Sequence, residues 1–322
     1  MIVIDYYETT PGERDRWHPG DRCQVLGEGL EHYTLTADMM DGSVMLIDAR
    51  GRLHGREPYR KLIPVKTSDA VFHAAQTLSQ ELAAIPGLPL APAVVGADPT
   101  DYLADHFRAY LERAASGPRR CVIVGMNPSP HGMAQNGVPF GDTRVARRIL
   151  APFPALQPDA CGPFPDIAGP GVAGPDGVAL PVRGLAYARG EESGHRLWGL
   201  LDQLCGGLDA ALSRCLVINY CPLVFLDSEG RNVALGAWPR RAEPVRALED
   251  ACDAWLRAVC DIVRAEHVVG VGMYATGALE RALSGSAGPS FSTIRHPSPL
   301  AGSAQSWASA ATPVLALALG VP

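Results

Sequence analysis

Two textures of hydrophobic and polar residues follow one another along this chain. Up to about residue 66, short runs alternate apolar and polar positions: Arg22 to Leu26, Tyr33 to Ala37 and Ser43 to Asp48, parted by turns such as Asp41-Gly42 and Arg50-Gly51-Arg52. Period-two alternation buries one face and wets the other, so these runs predict a small antiparallel β domain over residues 1–66, an SH3-like barrel by strand spacing. From Asp69 apolar positions recur at helical intervals, over Val71 to Ile85 and again over Asp101 to Ser116. Four strand-like runs follow: CVIVGM (Cys121 to Met126), CLVINY (Cys215 to Tyr220), HVVGVG (His267 to Gly272) and FSTIRH (Phe291 to His296). Helical stretches separate them near Thr143 to Leu150, Gly194 to Leu212, Ala242 to Arg264 and Tyr274 to Leu283, and a last one runs into Leu319. Strands buried on both faces and alternating with helices predict an α/β fold: a three-layer α/β/α domain over residues 67–322 with a four-stranded, mostly parallel sheet. The stretch from Ala151 to Val182 is too rich in Pro and Gly for a helix or central strand and is expected to be a long loop.

Open parallel sheets bind ligands beyond the carboxyl ends of their strands. The polar, Gly- and Pro-rich segments of this chain fall at those ends. GMNPSPHGMAQNGVPFGD (Gly125 to Asp142) follows the first buried run, NYCPLVF (Asn219 to Phe225) the second and HPSPL (His296 to Leu300) the fourth. One site is therefore expected to gather Asn127, Phe140, Asn219 and His296 from distant parts of the chain. Several familiar chemistries are missing from the sequence. There is no GxxxxGK[ST] phosphate loop, no GxSxG nucleophile elbow and no HExxH metal pair. Two amides, an imidazole and an aromatic ring remain, a set suited to a planar heterocycle and an anionic leaving group, with no cofactor and no metal.

Composition narrows the partners. The 322 residues are 47% hydrophobic, and 28 basic against 34 acidic residues leave a net charge of −6. That balance excludes holding a polyanion by bulk charge, so any nucleic acid must be gripped by local groups. The only lysines are Lys61 and Lys66, and every later basic side chain is an arginine. The start MIVIDYY lacks a basic flank and cleavage site, and no apolar tract is long enough to span a bilayer, so a cytoplasmic location is expected. Eight cysteines without CxxC spacing are expected to be buried thiols.

The three motifs, together with GLAYARGEESGHRLWGLLDQLCG (Gly184 to Gly206) and DPTDYLADHF (Asp98 to Phe107), resemble the single-strand-selective monofunctional uracil-DNA glycosylases of the uracil-DNA glycosylase superfamily. The resemblance covers roughly residues 67–322. It implies that Asn219 reads the uracil edge, that Phe140 stacks on the flipped base, and that Gly125 and Met126 complete the base pocket. Asn127 would orient the attacking water, and His296 would donate to the uracil oxygen as the base leaves. Leu300, which at this place resembles the classical uracil-DNA glycosylases, would wedge into the base stack, with Ser298, Pro299, Pro128, Ser129 and Arg231 contributing further DNA contact. Three positions depart from the family pattern: Ser129 stands where glycine is usual, His131 where phenylalanine is frequent, and Leu300 where an arginine tends to occur.

The expected activity is release of uracil, and of 5-hydroxymethyluracil, from single- and double-stranded DNA during base excision repair, by a monomer. A domain without lysine has no side-chain amine for a Schiff base, so water attacks and an intact abasic strand results. Two other readings stay open at this level: a superfamily enzyme for deaminated purines or mismatches, and a catalytically weak damaged-DNA binder in which Ser129 obstructs the water. The amino-terminal domain would bind a partner of unknown kind or simply pack.

Overall fold

The computed structural model describes residues 66–87, 103–157, 182–225, 232–239, 242–285 and 288–322 in full, and elsewhere the backbone of short strands. The chain divides into two compact units, residues 1–70 and 71–322.

In the first unit, strands β1 (Arg22–Val25), β2 (Tyr33–Asp38), β3 (Ser43–Asp48), β4 (Leu53–Pro58) and β5 (Leu62–Pro64) form one antiparallel sheet in the order β4-β3-β2-β1-β5. The three alternating runs coincide with β1 to β3. Strands β4 and β5 escape a period-two reading because Gly55, Pro58 and Pro64 interrupt any apolar alternation.

The elements that follow are α1 (Thr67–Ala83), β6 (Pro92–Val94), α2 (Ala104–Ala114), β7 (Cys121–Gly125), α3 (Met133–Asn136), α4 (Thr143–Leu150), β8 (Ile167–Ala168) and β9 (Val178–Leu180). Then come α5 (Glu192–Cys205), α6 (Leu208–Arg214), β10 (Cys215–Asn219), β11 (Leu223–Phe225), α7 (Glu243–Ile262), β12 (His267–Val271), α8 (Met273–Leu283), β13 (Ser290–Ile294) and α9 (Ala304–Leu319). The four runs are the strands of one parallel sheet in the order β10-β7-β12-β13. Burial on both faces, expected of all four, fails for β13: it lies at an edge with Ser290, Phe291 and Thr293 exposed, and only Ile294 of the strand is buried. Register pairs Asn219 with Gly125 and Ile294 with Val271, so the carboxyl ends lie level along one edge. After β7 the chain crosses to one side to form β10; the next crossover passes back over β7 to β12. Such a reversal of crossover direction marks the strand ends where open parallel sheets bind their ligands.

Strand β7 is central, and Cys121, Val122, Ile123 and Val124 have no solvent exposure. Burying each such aliphatic side chain is worth roughly 1.5–3 kcal/mol, which ties the sheet to the helices on both faces. Strand β10 is an edge, and Tyr110 of α2 covers it. The tyrosine hydroxyl donates to Val217 O at 2.7 Å and accepts from Val217 N at 3.0 Å. A side chain thus takes the place of a neighbouring strand and blocks edge pairing.

Two sequence expectations need correction. The single helix expected from Gly194 to Leu212 is two, α5 and α6, because Gly206 (φ 74°) and Gly207 (φ 144°) take left-handed backbone that ends the first. The expected loop from Ala151 to Val182 includes a short antiparallel pair, β8 with β9, although most of the stretch lies outside the described residues. Cys121, Cys215, Cys221, Cys252 and Cys260 are buried free thiols, and Cys205 is half-buried. Among the described residues, no helix is long and apolar enough to cross a membrane.

Candidate active site

The site begins where β7 and β10 end side by side. Beyond the strands the two chains remain bonded: Tyr220 N donates to Gly125 O at 2.8 Å and Cys221 N to Met126 O at 3.0 Å. Gly125 has no space for a side chain. A Cβ there would lie 2.5 Å from Phe140 Cε2 and 2.8 Å from Asn219 Oδ1. The bare backbone therefore lets an aromatic ring and an amide both close onto the same glycine. Asn219 is 7% exposed, and its Nδ2 lies 3.1 Å from Met133 Sδ. A thioether is a weak acceptor, so the amide keeps most of its hydrogen-bonding capacity for a ligand. Behind it, Trp255 Nε1 donates to Asn219 O at 3.3 Å. The Tyr220 hydroxyl donates to Asp253 Oδ1 at 2.7 Å and accepts from Arg281 Nη2 at 2.9 Å, fixing the strand end from α7 and α8.

Phe140 is held in left-handed backbone, φ 52°, which costs a non-glycine residue of order 1 kcal/mol or more. Its neighbours impose this geometry. Asn136, fully buried, accepts from Val138 N at 3.1 Å and donates to Gly141 O at 2.5 Å, bridging the turn. Trp198 Nε1 donates to Pro139 O at 3.0 Å, and Gly194 packs directly on Phe140 O. Asp142, also buried, caps α4 by accepting from Arg144 N at 3.1 Å and takes Glu191 N at 3.0 Å on its other oxygen. Burial alone would raise the Asp142 pKa, but hydrogen bonds from Arg144 and the Glu191 backbone hold it below the ordinary carboxylate value. Glu191 goes the other way: burial first, then the nearby Asp142 charge, push it up to about 6. Its carboxylate accepts from Gly194 N and caps α5, and its stem leaves only 3.1 Å for a Cβ at Gly132.

His296 follows β13. Its ring lies 6.1 Å from that of Phe140, centroid to centroid, at 39°. Gly272, at the end of β12, backs onto it: a Cβ at 272 would meet His296 Cβ at 3.2 Å. The ring reaches solvent on one side, and burial of the rest lowers its pKa below 6.5. At neutral pH it is an uncharged imidazole with a single N–H.

Asn127, two residues beyond Gly125, donates only long bonds, 3.4 Å to both Leu223 O and Asn232 Oδ1. Its Oδ1 is buried and accepts no hydrogen bond from the protein. A buried oxygen with no protein donor suits a polar ligand atom or a water. Gly125, Asn219, Phe140 and His296 thus come together, with Met126 and Asn127 next to them in the chain.

The expected DNA-contact residues fare differently. Leu300 is 95% exposed at the tip of a 3-10 turn, Pro299–Ala301, with Pro299 exposed and Ser298 half-buried beside it. Pro128 is buried and shapes the loop from inside. Ser129 Oγ accepts from His131 N at 3.2 Å, so the hydroxyl is turned onto its own loop. His131 stacks on Tyr187 with rings 8° apart, its Nδ1 2.6 Å from the phenol oxygen. Arg231 lies outside the described residues. Along α4, Arg144 pairs with Asp142, Arg148 with Asp202, and Arg147 donates to Leu185 O.

Comparison with known proteins decides the family. Residues 115–313 match the Uracil DNA glycosylase superfamily. This chain belongs to that superfamily. Within it, the chain is 36% identical over 217 residues to the single-strand selective monofunctional uracil DNA glycosylase of Mus musculus, covering 66% of this chain and 72% of the mouse protein. The namesake from Rattus norvegicus is 36% identical over 189 residues, covering 58% and 62% of the two chains. In three dimensions the chain is similar to the crystal structure of wild-type SMUG2 from Pedobacter heparinus, with TM-score 0.51 and 13% identity over 79% of this chain and 98% of that one. That likeness speaks for the glycosylase fold: a parallel sheet with helices on both faces.

Within this glycosylase framework, four supporting residues were not singled out by their sequence. Asn136, Asp142, Trp198 and Arg196, the last through Ser298 O and Gly302 O, act on backbone carbonyls or amides, contacts that residue types do not announce. The one sequence hint is the cluster of polar residues at 135, 136 and 142 in an otherwise apolar, glycine-bearing segment, all three buried in the structure.

Proposed function

We propose that this chain hydrolyses the N-glycosidic bond of uracil in DNA and leaves an abasic site. The observation that carries the reading is the juxtaposition at Gly125, where the Phe140 ring and the Asn219 amide crowd a position that tolerates no Cβ. A flipped uracil presents a π face and an edge bearing an oxygen and N3–H. Stacking on Phe140 is worth about 1–3 kcal/mol, and the amide donates to the oxygen while accepting from N3–H. Cytosine offers an acceptor and an amino group on that edge and is rejected by a fixed amide.

Bond breaking then runs without a strong base. The C1′–N1 electron pair departs with the base as an anion, whose O2 receives the His296 N–H. A preorganised donor of this kind is worth roughly 2.7–4 kcal/mol of barrier. Water held by Asn127 Oδ1 attacks C1′, and its proton passes to solvent or to the departing base. Leu300 enters the gap left in the stack and slows the return of the base.

The same reading extends to single- and double-stranded DNA, to 5-hydroxymethyluracil and to base excision repair in the cytosol. The turned-away Ser129 hydroxyl supports catalysis over a binding-only role. Residues 1–70 are a separate module, for an unidentified partner, that base release does not require. Incubation with a uracil-bearing single-stranded oligonucleotide, followed by alkali, is expected to cleave the strand at uracil only. No release at micromolar enzyme overturns the reading, and a hypoxanthine, xanthine and G·T panel identifies a different substrate.

A further inference from the structure

Leu300 stands 95% exposed, yet the backbone beneath it is fastened at every side. Before the turn, Trp307 Nε1 donates to Arg295 O at 2.8 Å. After it, Ser303 Oγ accepts from Ser306 N at 3.1 Å and caps α9. Across it reaches Arg196 of α5, whose Nη1 donates to Ser298 O at 3.3 Å and Gly302 O at 2.9 Å, the residues on either side of Pro299–Ala301. The Arg196 side chain is only 9% exposed, and its Nε pairs with Glu192 Oε1 at 2.8 Å. A cation taken so far out of water must be compensated by acceptors, and here they are the carbonyls of the turn that presents the leucine.

Helix α5 holds the other side of the site as well. Gly194 packs on Phe140 O and Trp198 bonds Pro139 O. Four residues apart, these two share one helix face, while Arg196 lies about halfway round from each. The run SGHRLW therefore spans the stacking ring and the exposed leucine with one rigid element.

We infer that Arg196 is a positioning residue for DNA: by bridging Ser298 O and Gly302 O it keeps Leu300 erect before the substrate arrives. Released from that bridge, an exposed leucine gains by folding back onto nearby apolar surface, and inserting it would first require re-ordering the turn. The inference rests on the uracil-release reading above. It predicts a substrate-dependent defect, because a wedge fills the gap in a base stack that only duplex DNA provides.

The experiment compares kcat/KM for uracil release from duplex and single-stranded oligonucleotides in the full chain. Wild type serves as the control for the reading itself: if it releases no uracil from either, that reading fails. If it does, Arg196→Met is expected to lower the duplex to single-strand ratio about tenfold, as Leu300→Ala does, and the double variant to fall no further. Arg196→Lys, whose ammonium can reach the same carbonyls, is expected to recover at least half of the lost ratio. Equal losses on both substrates, multiplicative effects in the double variant or no rescue by lysine would each overturn the positioning role and leave the uracil reading intact.

Discussion

Gly125 and Phe140 approach so closely that a single added carbon on the glycine would lie 2.5 Å from the ring. Gly125→Ala therefore has to displace the Phe140 ring, because the backbone that carries it is tied through Asn136, Trp198 and Gly194. Overpacking of this kind costs about 1–3 kcal/mol. The variant is expected to melt a few degrees lower and to release uracil at least tenfold more slowly, read by thermal melting and single-turnover base release. Wild-type rates would contradict the role of this close approach.

Asn219 and His296 are expected to separate in their kinetic signatures. Asn219→Ala removes the group that tells uracil from cytosine, so the ratio of uracil to cytosine release collapses. His296→Ala lowers the chemical step about 100-fold or more with little change in binding to a non-cleavable uracil strand. The imidazole of His296, followed by NMR in the free protein, is expected to titrate below 6.5 because burial disfavours its charge. Wild-type behaviour of both variants would refute the assignment.

Glu191 carries a pH dependence of stability. A carboxyl whose folded pKa, about 6, exceeds its ordinary 4.5 favours the fold while protonated. Its contribution is full below 4.5 and is lost as pH rises through about 6. Glu191→Gln keeps a side-chain acceptor for Gly194 N without the charge. It is expected to be more stable than wild type at pH 7.5 by roughly 1–2 kcal/mol and no more stable at pH 4.5, measured by denaturant midpoints. A gain of equal size at both pH values would dismiss the linkage.

The distribution of lysines makes a prediction about product. Residues 67–322, which carry the candidate site, contain none, so that stretch has no side-chain amine of its own to attack C1′. Borohydride added during turnover is expected to trap no covalent protein–DNA adduct, and the strand stays whole until alkali is added. A trapped adduct would refute water as the nucleophile.

How much of this was legible in the sequence depended on which atoms do the work. Three strands of the sheet were readable because strands buried on both faces are continuous apolar runs, as Cys121 to Val124 are, and because parallel strands put the motif residues at one edge; β13 is largely exposed and carries only Phe291 and Ile294 as apolar residues. The gathering of Asn219, Phe140 and His296 followed from that edge. What could not be read was support delivered through the main chain. Arg196 meets the carbonyls of Ser298 and Gly302, and Asn136 meets Gly141 O and Val138 N, groups that every residue possesses. The Gly206-Gly207 pair was visible, yet an unbroken helical pattern on both sides concealed the break between α5 and α6.

The left-handed backbone at Phe140 has a thermal consequence. A conformation maintained only by its surroundings relaxes as soon as those surroundings loosen, well before the sheet gives way. Warming should first let the ring swing aside in a chain that still scatters, sediments and rotates polarised light as a folded protein. The enzyme would then cool back to full strength from a temperature at which it had already fallen silent.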